Sequence, residues 1–291
     1  MILDPAHLQA LRAAVDEGTF DAAARALSVT PSAVSQRIKA LETDVGRVLL
    51  KRSRPVRPTE SGRSVLRLAR QLEALSADVA GELGAEGLVR MPLAVNADSL
   101  ATWLLPALAP LAGELAFEFL REDEGHTTEL LRDGAVMAAV TAEAVPVQGC
   151  SSTLLGAMRY RPHASESFAR TWFPGSGSDR SEGFATAPVV VFDRRDELQH
   201  RFLRSLPGGE RFDPPRQYVP ASGEFVEAVR SGYGWGMVPD LQRTPDLVEL
   251  APGEGIDVPL FWQQWQLRTS ALDRVAAAIG AAASTALRRP A

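Results

Sequence analysis

The sequence predicts a chain of mixed class, α+β over residues 1–60 and α/β from about residue 89 onward, with one long helix between them. Three patterns carry that expectation. Helix-start signals crowd residues 1–60, an apolar seam of alternating three- and four-residue steps runs from Val65 to Val79, and strand and helix signals alternate from about residue 90 to the end. The 291 residues leave room for more than one hydrophobic core. With 45% apolar and 23% charged residues, and 23 Gly and 20 Pro spread out, disordered, collagen-like and low-complexity classes are excluded. Net charge is −5, but residues 1–70 hold 12 basic against 7 acidic side chains and the remainder 19 against 29. A basic end on an acidic body predicts that the end meets a polyanion and the body does not.

Asp4-Pro5 reads as a helix cap followed by a first-turn proline, with Leu8, Leu11 and Val15 on one stripe until Gly18. A short helix is expected over Asp21 to Leu27, and Ser28-Val29 makes a tight link to a second cap and first-turn proline, Thr30-Pro31. In the third helix Val34, Ile38, Leu41 and Val45 form one apolar seam, opposite Ser32, Gln36, Lys39 and Thr43. Hydroxyls, an amide and a cation on one face suit base edges and phosphates. Two short helices, a tight turn and a third helix turned back on them make the helix-turn-helix layout. The basic, proline-stiffened stretch Lys51 to Pro58 then reads as a wing along the phosphates. Thr30, Ser32, Ser35, Gln36, Arg37, Lys39, Arg54 and Arg57 are the candidate DNA contacts.

Thr59-Glu60 opens a further helix, along which Val65, Leu68, Leu72, Leu75 and Val79 make the seam of a two-stranded coiled coil. Such a seam predicts a second copy as partner. Gly81, Gly84 and Gly87 mark the end of the linker. Leu93 and Val95 begin a strand ending at Asn96, and Asp98-Ser99 caps a helix toward Pro106. Leu115, Phe117 and Phe119 alternate into Arg121-Glu122-Asp123-Glu124, Thr127 caps the next helix, and Val136 to Thr141 is a buried strand. This βαβαβ order places ligands beyond the carboxyl ends of its strands. Further signals cover Glu166 to Trp172, Val189 to Asp193 and the helix after it, Gln217 to Val219, a helix from Phe225 to Ser231, Gly236 to Pro239, Leu260 to Leu267 and a last helix from Leu272 to Arg288.

Other functions find little support. The single Cys150 cannot form an internal disulfide, and His7, His126, His163 and His200 offer no Cys/His cluster. The longest apolar stretches, such as Leu100 to Ala112, fall short of the roughly 18 to 20 residues of a membrane span. Met1-Ile2-Leu3-Asp4-Pro5 lacks the pattern of a signal peptide, so a cytoplasmic protein without membrane partners is expected. Gly232-Tyr233-Gly234-Trp235-Gly236 lacks the strand-then-helix setting of a dinucleotide loop, and no P-loop, nucleophile elbow or metal spacing occurs. No enzyme activity, cofactor or metal is expected.

Ala22-Ala23-Ala24 to Leu27, Ser28 to Pro31, Ser32 through Glu42, Gly46, Leu49-Leu50 and Arg57 to Gly62 together closely resemble the DNA-binding end of LysR-type transcriptional regulators. Val95 to Pro106, Glu122-Asp123-Glu124 and Pro188 to Asp193 are similar to the branch of that family that senses lysine or arginine and controls basic amino-acid export. The resemblance covers essentially the whole chain, most strongly before residue 110.

It implies a winged helix-turn-helix (1–60), a dimerising linker helix (61–88) and a two-lobed, periplasmic-binding-protein-like α/β effector domain (89–291). Lobe I would cover about 90–160 and 262–291, and lobe II about 161–261. The implied partners are operator DNA, an amino-acid effector, further copies in a dimer or tetramer, and RNA polymerase. A nucleoid-type DNA-binding protein without an effector and an amino-acid-processing enzyme are the alternatives.

Asn96, Asp98 and Ser99 fit either a helix cap or an effector carboxylate. Glu122, Asp123 and Glu124, above all Asp123, would attract a cation. Trp103 is packing or an aromatic wall, and the resemblance adds Thr141, Asp193, Ser222 and Glu224. Where the family branch carries a Ser-Glu pair this chain reads Ser222-Gly223-Glu224, which shifts the glutamate by one position.

Overall fold

The computed structural model describes residues 3–51, 53–84, 87–121, 124–174 and 181–289. Its N-terminal head contains α1 (Pro5–Asp16), α2 (Phe20–Ala26) and α3 (Pro31–Val45), each started by a side chain that accepts an otherwise orphaned N–H. Asp4 accepts from Ala6 N at 2.7 Å, Thr19 from Ala22 N at 3.1 Å and Thr30 from Ala33 N at 3.2 Å. With Thr19 as the cap, α2 starts and stops one residue before the expected Asp21 to Leu27. Ser28, at φ 54, makes the tight link to α3, and Gly46, at φ 70, ends it. Val34, Ile38 and Leu41 are buried over Leu8 and Leu11, with Val45 at the edge. Each such side chain contributes about 1.5 to 3 kcal/mol by leaving water, which fixes the polar face outward.

The wing is a short antiparallel pair, β1 (Leu50–Lys51) with β2 (Arg57–Pro58). Glu42 in α3 ties it down by accepting from Leu49 N at 2.8 Å. Next comes α4 (Glu60–Glu82), capped by Thr59. It starts so close to the wing that a Cβ on Gly62 would stand 1.9 Å from the Leu49 carbonyl oxygen. Val65 departs from expectation: it is buried in the head's core, because the first turns of α4 still pack on α1. Leu68, Leu72, Leu75 and Val79 remain exposed.

The body begins with β3 (Val89–Val95), four residues ahead of the expected Leu93 because its ladder with the next strand opens at Val89 opposite Leu115. There follow α5 (Ala97–Ser99), a π turn over Leu100–Leu104, α6 (Leu105–Leu108), β4 (Leu115–Arg121), α7 (Glu124–Arg132) and β5 (Ala138–Thr141). Strands β4, β3 and β5 are parallel neighbours, which is the βαβαβ unit read from the sequence. Two capping expectations fail. Asn96, not Asp98-Ser99, is the cap residue of α5, without a side-chain cap bond, and Thr127 is buried inside α7, which has already started at Glu124.

The remaining elements are β6 (Cys150–Ser165), α8 (Glu166–Trp172), α9 (Ser181–Thr186), β7 (Val189–Val191), α10 (Leu198–Ser205), β8 (Arg216–Tyr218), α11 (Ser222–Arg230), β9 (Gly236–Pro239), β10 (Leu247–Glu249), β11 (Ile256–Trp265) and α12 (Ser270–Ala286). Neither β6 nor β10 was expected, α11 starts three residues before Phe225, and β11 and α12 both begin earlier than read. Strands β6 and β11 run antiparallel along their whole common length. At one end β11 pairs with β5; at the other β6 carries β9 and β10, so the sheet runs on from one lobe into the other. Where they cross, the register shifts between Leu260 and Phe261, and Gly156 adopts φ 147 with Leu287 Cβ 2.7 Å from where its own Cβ would stand.

The far lobe adds the parallel pair β7–β8 and a small core of Val190, Phe225, Val226, Val229, Val238 and Leu247. Beside it Trp235 meets Phe184 and Phe202 edge to face, at 5.1 and 6.0 Å between centroids. Among the described residues no helix is long and apolar enough to cross a membrane.

Candidate functional site

Two separate sites are built on this frame. On the head, Thr30, Ser32, Ser35, Gln36 and Lys39 are exposed along α3, Arg37 is half-buried at its flank, and Arg54 and Arg57 are exposed on the wing. Thr30 is partly committed, since its hydroxyl caps α3 and lies 2.9 Å from that of Ser32. The helix therefore offers hydroxyls, an amide and a cation on a rigid rod whose other face is locked in the core, as a base-reading helix requires.

The second site is a cleft of about 550 Å³ between the lobes, lined by Asn96, Ala97 and Asp98 from the near lobe, Tyr160 from β6, and Phe192, Asp193, Arg195 to Leu198 and Phe225 from the far lobe. Its charged lining holds five acids, Asp98, Glu143, Asp193, Asp196 and Glu197, against Arg121, Arg195 and Arg201, so its field favours a cation. Asp98 Oδ2 accepts from the Tyr160 hydroxyl at 2.7 Å and Oδ1 from the Ser222 hydroxyl at 2.6 Å. Asn96 Oδ1 and Ser99 Oγ are buried with no hydrogen-bond partner among the described residues. Buried polar atoms are ordinarily paired, so Asn96, which lines the cleft, is poised for something entering it. Asp193 folds its own loop, accepting from Arg195 N at 2.7 Å and Asp196 N at 3.0 Å. Asp196 accepts from Phe192 N and Leu198 N, yet burial outweighs those bonds and pushes its carboxyl above the usual aspartate range.

The sequence-derived candidates divide. Asn96, Asp98 and Asp193 line the cleft, and Ser99, Thr141 and Ser222 are buried beside it, Thr141 accepting from Glu143 N at 3.2 Å. Trp103 packs in the main core, and Glu224 is exposed on α11 outside the lining, so neither is brought to the cleft wall. Glu122 and Asp123 lie outside the described residues. Reading the sequence missed Tyr160, Glu143, Asp196 and Glu197. The position of 193–197 just past a strand's carboxyl end could have found the last two, whereas nothing local marks Tyr160, which meets Asp98 across 62 residues.

Comparison with known proteins bears on the family of the whole chain. Residues 5–63 match the family described as bacterial regulatory helix-turn-helix protein, lysR family. The lysine export transcriptional regulatory protein LysG of Corynebacterium efficiens is 41% identical over 295 residues, covering 98% of this chain and 100% of the relative. The chain belongs to the LysR family. Its architecture is that of the family's full-length structures. ArgP from Mycobacterium tuberculosis superposes with a TM-score of 0.89 at 40% identity over 100% of both chains. Full-length LysG from Corynebacterium glutamicum with bound effector arginine superposes with a TM-score of 0.80 at 37% identity, covering 98% of this chain and 99% of that one. This LysR-family chain is thus a transcriptional regulator with a helix-turn-helix head and an α/β effector-binding body.

Proposed function

We propose that this regulator binds lysine or arginine in the cleft between its lobes and, in response, alters its hold on the operator of a basic amino-acid exporter gene. The observation that carries the reading is the pairing, in one cleft, of an acidic lining with the unpartnered Asn96 side-chain oxygen. Glu143, Asp193 and Glu197 suit a cationic side chain, and Arg121 with the Asn96 amide suits a carboxylate. The relatives support the choice of ligand: one is named for lysine export and another is described with bound arginine.

In this reading the DNA is contacted by Thr30, Ser32, Ser35, Gln36, Arg37, Lys39, Arg54 and Arg57. The effector set is Asn96, Ser99, Thr141, Asp193 and the acids at 122–123, with Asp98 and Ser222 beside them. The head ends near residue 60 and the linker near 88, and the protein works in the cytoplasm, without catalysis, as a dimer or tetramer that engages RNA polymerase. A ligand that binds only the native state stabilises it by about 2.7 kcal/mol at 100 times its dissociation constant. Thermal melting with each of the twenty amino acids should therefore show a rise with lysine or arginine and none with acidic or apolar ones. A flat response to all twenty would exclude the effector and leave a DNA-binding protein of the nucleoid type.

A further inference from the structure

Three elements distant in the chain converge on one carboxylate. Asp98 sits in the first turn after β3, Tyr160 on β6 near the crossing, and Ser222 at the first position of α11 in the far lobe. Both oxygens of Asp98 are engaged, one by each hydroxyl, and 62 and 124 residues separate the partners. At 2.7 and 2.6 Å these are short, charge-assisted bonds. Tyr160 and Ser222 are 5% and 7% exposed, so the bonds are shielded from competing water. The side-chain amide of Gln242 lies 3.1 Å from the Ser222 hydroxyl. A hydroxyl has one proton to give, so Ser222 donates to Asp98 while the Gln242 amide, turned with its nitrogen inward, donates to Ser222. That arrangement orients Ser222 toward the opposite lobe.

We infer that Asp98, Tyr160 and Ser222 form a clasp that holds the two lobes in the geometry of the closed cleft, and that Asp98 is a positioning residue of the sensor, not the group that recognises the effector's cationic side chain. The inference rests on the proposed reading that a basic amino acid occupies this cleft. Both carboxylate oxygens of Asp98 are taken by hydroxyls of the protein itself, which leaves cation recognition to other acids of the same lining, such as Glu143. If the clasp sets the fraction of molecules with a competent cleft, the apparent dissociation constant is the intrinsic one divided by that fraction. Loosening it must then weaken every ligand of the cleft by one common factor. A ligand contact behaves otherwise, because lysine and arginine present different donors and their affinity ratio would change.

The test is isothermal titration of lysine and arginine into the full-length wild type, Ser222→Ala, Tyr160→Phe and Ser222→Thr proteins. Hydrogen exchange over residues 97–104 and 221–226 is followed in each without added amino acid. Ser222→Ala and Tyr160→Phe should each weaken both ligands about 10-fold or more, as loss of a hydrogen bond to a charged group implies. The lysine-to-arginine ratio should stay at its wild-type value, exchange should speed up in both segments, and Ser222→Thr, which keeps the hydroxyl, should restore binding. A changed ratio would make these residues ligand contacts and overturn the clasp, as would unchanged affinity together with unchanged exchange. If the wild type binds neither amino acid, the effector reading fails, and exchange alone then decides: faster in the two hydroxyl-deleted variants for a clasp, unaltered if there is none.

Discussion

Gln36 and Lys39 stand three residues apart on the exposed face of α3, while Val34, Ile38 and Leu41 anchor the opposite face. Their removal should spare folding and damage DNA binding in different ways. Lys39→Ala should weaken binding to operator and random DNA alike and lower the slope of log affinity against log salt by about one, the signature of a lost phosphate contact. Gln36→Ala should cost about 1 to 3 kcal/mol on the operator alone, since an amide discriminates by pairing with a base edge. Equal losses on operator and random DNA would remove Gln36 from the reading surface. These positions were legible in the sequence because a helix converts spacing directly into facing. Tyr160 and Glu143 were not, since their place in the cleft depends on strands that pair across distant parts of the chain.

Among the elements, α4 shows what a heptad pattern does and does not reveal. Its seam was legible as far as its spacing, yet Val65 went to the head's core and only Leu68, Leu72, Leu75 and Val79 stay exposed, at 37% to 54%. Periodicity reports that a stripe will be covered; the covering surface is set by what the neighbouring elements leave open. Since these four remain exposed in the chain, Leu72→Glu should bury a charge against a second copy at a cost of several kcal/mol. Sedimentation should then show a smaller species than the wild type, and a mutant of wild-type mass with normal binding to a palindromic site would remove α4 from the interface. Strand β6 is the opposite case. Gly156 and Pro162 lie inside it, residues that argue against a strand interior, and most of its second half is buried. Its Pro162 is accommodated by offering only its carbonyl, which accepts from Leu250 N at 2.9 Å.

For the whole molecule, the charge asymmetry and the order of head, linker and α/β body could be read in advance, but the contacts that join head to body could not. Several of them gather where the turn after α7 and the segment just before β6 meet α4. Arg70 donates to the Asp133 carbonyl at 3.1 Å and also pairs with Asp16 of α1; Arg67 donates to the Gln148 carbonyl at 2.9 Å, and Arg63 stands 3.4 Å from Asp133. Burial and the neighbouring Glu129 push the Asp133 carboxyl upward, partly offset by Arg63, Arg70 and Arg132. Gly134 turns at φ 72 with Arg67 Cα 2.9 Å from where a Cβ would stand, so only glycine lets the turn reach the helix. The other end of α7 starts just past β4, whose last residue, Arg121, lines the cleft. Arg70 thus touches α1 of the head and the far end of an element that begins beside the effector site. On the proposed reading of the cleft, deleting it should leave arginine affinity in DNA-free protein nearly unchanged while shrinking the factor by which arginine alters operator affinity. Coupling between two ligands is reciprocal, so the factor by which operator DNA alters arginine affinity must shrink equally. Measuring all four sides of that cycle for wild type and Arg70→Ala tests both statements at once. A wild-type coupling factor in the mutant would mean that the signal reaches the head by another path, and a loss on one side only would show that the cycle had not reached equilibrium.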